Sequence, residues 1–255
     1  MTPECFSVVI LCVVVFVSEY LDSSLGMGYG TALTPVLILM GYDPLTVVPA
    51  VLVSQLVTDI AACASHQRCA NVDLRISSPD FKVAALLGAV SSIGVLVAVV
   101  LAVKLPKPLL TSYIGTLVFA MGVLILVTLR RPMAMSWRKI AAISLVAAFN
   151  KGISGGGYGP LVMGGQILSG VQARNAVGIT AFAEAITCLV GFLAFVALGK
   201  ALDWNLIILL CASALPAVPF AALTVKKIPV DKLKVWVGVL IMGLGLLTLL
   251  RVASG

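Results

Sequence analysis

Apolar runs separated by short polar stretches fill the chain. They fall at about residues 5–24, 30–40, 44–63, 82–103, 109–129, 137–150, 160–169, 174–198, 205–225 and 233–251. A hydrocarbon core of about 30 Å takes roughly 20 residues of α-helix at 1.5 Å per residue. Two runs are short: 30–40 and 160–169 reach only about 15 Å each, half a bilayer. Ten-residue alternating strands are absent, so no barrel is predicted. The pattern predicts an all-α polytopic membrane protein. Composition agrees: 61% of the 255 residues are apolar and 11% charged, with a mean hydropathy of +1.16, against about 45–50% and 25% in an average soluble domain. A soluble globule of this size cannot bury so much apolar surface. A cytosolic enzyme is therefore excluded, as are disordered, collagen-like and disulfide-scaffold classes.

Each short run follows a glycine cluster. Gly26-Met27-Gly28-Tyr29-Gly30 precedes the first and Gly155-Gly156-Gly157-Tyr158-Gly159 the second. A shift of 129 superposes Gly26, Gly28, Tyr29, Gly30, Ile38, Leu39, Gly41, Val48 and Thr58 on identical residues. Farther on, a shift of 123 brings Lys104-Leu105-Pro106 onto Lys227-Ile228-Pro229, and Gly115 and Gly122 onto Gly238 and Gly245. The chain reads as two membrane repeats, 1–130 and 131–255, of five apolar segments each. An odd number makes the repeats inverted relative to one another. Charge tests this. If the short segments reverse the chain's side, one side receives 12 basic residues (Arg68, Arg75, Lys82, Arg130, Arg131, Arg138, Lys139, Arg174, Lys226, Lys227, Lys232 and Lys234). The other receives Lys104, Lys107, Lys200 and Arg251, with Lys151 left uncounted in a glycine loop. If they do not reverse it, the split is 9 against 7. The first arrangement has the expected positive-inside bias, which predicts a cytoplasmic 12-charge side and both termini outside. The short segments are expected to re-enter, so that the two glycine loops approach each other near the midplane, where irregular backbone must be buried or line a cavity.

The net charge of +7 has its plain source in that bias, and its sharper reading is an anionic substrate. Basic residues scattered over short loops give no support for nucleic-acid binding. The six cysteines (Cys5, Cys12, Cys63, Cys69, Cys188 and Cys211) show no metal spacing, so neither a disulfide nor a metal is expected. Glu4 stands before the first run with no Lys or Arg, unlike a signal peptide, so 5–24 is expected to remain as a helix. His66, the single histidine, reads as a solvated loop residue beside Gln67 and Arg68.

Glycine permits positive φ and close approach of backbone to a ligand. A helix starting just after such a loop offers unpaired N–H groups and a positive dipole end. The expected substrate-binding set is Gly28, Tyr29, Gly30 and Thr31 with Asn150, Lys151, Ser154, Gly157, Tyr158 and Gly159. Arg174 is a further member, as a gate at the cytoplasmic edge or as an interfacial snorkelling residue. Intramembrane charges are expensive and usually functional. Asp22 and Lys151 are equivalent at offset 129, as are Gln55 and Glu184. Lys151 either pairs with Asp22 or binds an anion. Glu184 and then Asp59 are the candidates for carrying a proton, with Glu19 beside them, and structural hydrogen bonding between helices is the alternative for each. Gly88, Gly94, Gly115, Gly122, Gly238 and Gly245 read as helix-packing positions.

At these residues the sequence resembles the TauE/SafE family of sulfite exporters. The resemblance rests on Gly26-Met27-Gly28-Tyr29-Gly30, Pro35 and Gly41 in the first half. In the second it rests on Gly155-Gly156-Gly157-Tyr158-Gly159, Gly170-Val171 and Ala176-Val177-Gly178-Ile179-Thr180. Departures are Gly164 in place of Pro35 and Val177-Gly178 in place of Val48-Pro49. The resemblance implies export of sulfite, a sulfonate such as sulfoacetate, or a related small anion by a secondary transporter in a bacterial inner membrane. Proton coupling and rocking of the two halves about a fixed site complete the expectation. No G-x-x-x-x-G-K-[ST] run points to ATP, and neither a catalytic constellation nor a cofactor is expected. An uncoupled anion channel and a carrier of another organic anion are the rival readings.

Overall fold

The computed structural model describes residues 3–128, 137–168, 171–225 and 230–254. Among these residues every regular element is an α-helix. In chain order they are α1 (Pro3–Leu25), α2 (Tyr29–Leu39), α3 (Pro44–Arg68), α4 (Pro79–Lys104) and α5 (Lys107–Thr128). There follow α6 (Trp137–Ser154), α7 (Tyr158–Leu168), α8 (Ala173–Ala197), α9 (Trp204–Ala214), α10 (Ala217–Thr224) and α11 (Val230–Ser254). Seven spans among the described residues are long and apolar enough to cross a membrane: α1, α3, α4, α5, α8, α9 with α10 taken together, and α11. The chain is a multi-pass helical membrane protein.

Local chemistry sets the boundaries. Asp43 caps α3, its Oδ1 accepting from the Leu45 N–H at 2.8 Å, with Pro44 in the first turn. Ser78 caps α4 through the Phe81 N–H at 3.1 Å, ahead of Pro79. Asp203 caps α9 through the Leu206 N–H at 3.0 Å. An oxygen cap followed by proline satisfies a helix start without losing a needed donor. The apolar run 205–225 is broken at Leu215–Pro216 into α9 and α10. Proline lacks the N–H of the ladder and its ring clashes with the preceding turn. The run 137–150 extends to Ser154, so Lys151 sits in the last turn of α6 and not in the glycine loop.

Helices α3 and α8 pack against each other, and the hydrogen bond between Gln55 and Glu184 joins them near their middles. Around them α4 packs on α6 and α8, α9 on α3 and α1, and α10 on α1 and α3. Helix α5 pairs with α11, α2 touches α11, and α7 touches α5. Exchanging α1–α5 for α6–α11, with α9–α10 standing for α4, maps these pairs onto one another. Glycines set the closest approaches. A Cβ at Gly122 would press on Met242 and the Gly238 carbonyl, and one at Gly245 on Phe119 and the Gly115 carbonyl. The apolar faces of Val13, Ile93, Leu193, Ile208 and Leu223 remain exposed around the rim, as lipid contact requires. Lys227–Pro229, Arg130, Arg131 and Gly170 lie outside the described residues.

Candidate functional site

Both glycine loops are buried, and they touch. Helix α1 ends with Gly26 N–H donating to the Asp22 carbonyl at 2.6 Å, and α6 ends with Gly155 N–H donating to the Lys151 carbonyl at 2.7 Å. Gly26 and Gly155 have φ of +64° and +71°, and Gly28 and Gly157 of +135° and +82°. These left-handed values let the chain double back into α2 and α7, and glycine reaches them without a Cβ penalty. The contact is reciprocal. A Cβ at Gly30 would overlap the Gly155 carbonyl, and one at Gly159 would overlap the Gly26 carbonyl. Both pairs are related by the offset of 129.

The half-helix starts are tied down by neighbouring side chains. Asp22 Oδ1 accepts from the Tyr29 N–H at 3.2 Å, and Thr31 Oγ1 accepts from the Gly157 N–H at 2.9 Å. Ser154 Oγ accepts from the Gly156 N–H at 3.1 Å and donates to the Asn150 carbonyl at 2.8 Å. The Asn150 Oδ1 takes the Tyr113 hydroxyl at 2.6 Å. Tyr29 and Tyr158 are fully buried. The Tyr29 hydroxyl meets Ser54 at 2.6 Å; that of Tyr158 meets Ser91 at 2.9 Å and Ser144 at 3.3 Å. These serines went unremarked in the sequence, although a serine inside an apolar helix is a signal for a buried hydroxyl partner.

Beside the loops runs a chain of polar side chains. Gln55 Nε2 donates to Asp22 Oδ2 at 3.1 Å and to Glu184 Oε1 at 3.0 Å. Lys151 Nζ donates to Glu184 Oε1 at 2.7 Å and also to Gln55 Oε1. Gln55 and Glu184 are equivalent at the sequence offset of 129 and bond to each other; Asp22 and Lys151, equivalent at the same offset, attach at either end. Lys151 thus takes Glu184 as its ionic partner, with Asp22 held by Gln55. Glu19 stands near, its Oε1 accepting from Ser23 Oγ at 2.6 Å. Carboxylate oxygens of Asp22, Asp59 and Glu184 lie within 4.8 Å of one another. A small cavity of about 10 Å³ is bordered by these three residues with Ser23, Gly26 and Thr180, room for roughly one water. Glu19, Asp22, Asp59, Lys151 and Glu184 are all buried. Four carboxyl groups and one ammonium therefore share one interior site, where a charge without a partner is costly.

Arg174 stands apart from this cluster. It is exposed, its Nε donating to Gln172 Oε1 at 3.1 Å, in a surface cleft with Asp73, Arg75 and Asp80. His66 corrects the expectation of a solvated loop residue: it is completely buried. Its Nε2 lies 2.8 Å from the Ser23 carbonyl, and its Nδ1 lies 3.0 Å from Asn71 Nδ2, which also donates to the Ala222 carbonyl. The end of α1 leaves carbonyls without intrahelical donors, and the imidazole fills one of those places while joining α1 to α3.

The family model described as "Sulfite exporter TauE/SafE" matches residues 10–248. The chain belongs to the TauE/SafE sulfite exporter family. It is therefore a membrane transporter by family, and the crossed glycine loops and buried charge cluster lie inside the matched region. A relative is the "Probable membrane transporter protein YtnM" of Bacillus subtilis (strain 168), 27% identical over 237 residues, covering 87% of this chain and 75% of the relative. No solved structure matches the chain.

Proposed function

We propose that this member of the TauE/SafE family exports a small sulfur-containing anion such as sulfite or an organosulfonate across a bacterial inner membrane. One observation carries the reading: a buried ammonium, Lys151, stands beside two glycine loops whose half-helices begin at the same place. Helix starts and a point charge are a suitable environment for an oxyanion. Lys151 is held by Glu184 and Gln55. An arriving anion takes Lys151 from Glu184, and Thr31 and Asp22 yield the N–H groups of Gly157 and Tyr29. Glu184 or Asp59, losing the ammonium's support, takes up a proton, which couples the two movements.

Residues 1–130 and 131–255 act as inverted repeats rocking about this point. The reciprocal glycine overlaps and the exchange of packing partners support that arrangement. The side carrying Arg68, Arg75 and Arg174 is cytoplasmic and both termini lie outside. The inside-negative potential favours outward movement of any net negative charge, by roughly 2.3 kcal/mol per charge per 100 mV.

Flux of sulfite, sulfoacetate, sulfate and acetate into liposomes holding the purified protein tests the reading. Saturable flux is expected for sulfite or sulfoacetate and not for acetate, with a rate that follows an imposed pH gradient. Flux that never saturates would mean an uncoupled channel. Absence of sulfur-anion flux from folded protein would sink the substrate assignment.

A further inference from the structure

The three carboxylates of Asp22, Asp59 and Glu184 come from α1, α3 and α8. No spacing motif in the sequence announces them, and only the fold collects them. Asp22 has both oxygens engaged, by the Tyr29 N–H and Gln55, and Glu184 Oε1 is taken by Lys151 and Gln55. Asp59 differs. It lines the small cavity, is only 4% exposed, and its Oδ2 has no hydrogen-bond partner. A buried carboxylate oxygen left unmet is unfavourable, and a cation seated in the adjoining cavity would meet it.

The structure assigns this place to a small monovalent metal cation, a sodium ion, bound between Asp59, Asp22 and Glu184. Oxygens up to 4.8 Å apart can face each other across a hard cation with metal–oxygen distances of about 2.4 Å, inside the range of such ligands. The remaining wall includes Ser23 and Thr180, whose hydroxyl oxygens can add to the ligand set, and Ala62, Val177 and Ala181, which offer no side-chain oxygen. A calcium ion gathers about 6–8 oxygens and magnesium keeps several waters; a cavity with room for about one water satisfies neither. The occupant would counter the carboxylates that otherwise repel an anion arriving at Lys151, which links cation binding to anion binding in the same transporter. This goes beyond the anion reading and does not depend on it.

The test is thermal unfolding of the purified full chain in detergent. Sodium chloride is titrated against choline chloride at constant ionic strength and pH, with no sulfur anion present. The expected result is a saturable rise in unfolding temperature with sodium, weaker with potassium. Asp59→Asn should move its midpoint at least tenfold upward in concentration. Ala62→Val keeps every carboxylate but narrows the cavity, and should weaken sodium binding likewise; it decides the matter if Asp59→Asn does not fold. A wild-type protein indifferent to sodium, or an equal response in the variants, overturns the site. Stabilisation by calcium in preference to sodium overturns the monovalent assignment. Because binding is read without anion flux, failure of the sulfite experiment and failure of this one are separate results.

Discussion

Replacing Lys151 with methionine abolishes saturable sulfite flux and lowers the unfolding temperature, two effects with different causes. Lys151 and Glu184 form an ion pair at 2.7 Å with both side chains almost wholly buried. Removing one member of such a pair costs about 3–5 kcal/mol, because the other charge stays buried without its partner. Loss of the anion's own partner costs about 2–5 kcal/mol of affinity, roughly thirtyfold or more at about 1.4 kcal/mol per decade. A second variant separates the two. Lys151→Met with Glu184→Met removes both charges at similar volume, a change that is often neutral or stabilising. The double variant should recover the wild-type unfolding temperature in detergent while remaining inactive in liposomes. Restored transport alongside restored stability would show that the pair only supports the fold.

Alanine at Gly30 and alanine at Gly159 should be nearly equal in severity, each preventing recovery of monodisperse protein. At Gly30 the new methyl would meet the Gly155 carbonyl, and at Gly159 the Gly26 carbonyl. These are backbone atoms fixed by left-handed glycines on either side, so neither loop can give way as a flexible side chain would. Overpacking in an interior costs about 1–3 kcal/mol, occasionally more, and displacing the two crossed loops belongs at or beyond the upper end. Gly164→Ala is the comparison. It lies within α7, with nothing near its Cβ position, and alanine in a helix is favoured over glycine by about 0.5–1 kcal/mol. Size-exclusion profiles and unfolding temperatures of the three variants check this. Tolerance of Gly159→Ala beside failure of Gly30→Ala would contradict reciprocal crossing of the loops.

Much of this was readable in advance because a membrane forces it. Apolar runs of fixed length mark the helices, and the two short runs became α2 and α7. The glycine clusters marked the loops because only glycine takes those backbone angles cheaply. The interior charges were legible as outliers in apolar sequence. Partner choice was not. The offset of 129 makes Asp22 the counterpart of Lys151, which suggested that the two pair, yet residues related by that offset bond directly only where the helices carrying them face one another, as α3 and α8 do. Gln55 and Glu184 do so; Asp22 and Lys151 flank them. The burial of His66 depended on an unsatisfied carbonyl at the end of α1, more than forty residues earlier. The break before α10 lay inside a continuous apolar run, where hydropathy is silent and only Pro216 signalled it. Arg174 is exposed at the start of α8, and the cluster's hydrogen bonds do not include it.

The most direct test of an anion seat at Lys151 is counterflow. Liposomes holding the wild-type protein or the Lys151→Met, Glu184→Met double variant are loaded with unlabelled sulfite and diluted into labelled sulfite. Wild-type vesicles should accumulate label transiently above the outside concentration, the mark of a carrier with one alternating site, and double-variant vesicles of the same unfolding temperature should not. Equal accumulation by both, or entry of label without any overshoot in the wild type, would contradict the account.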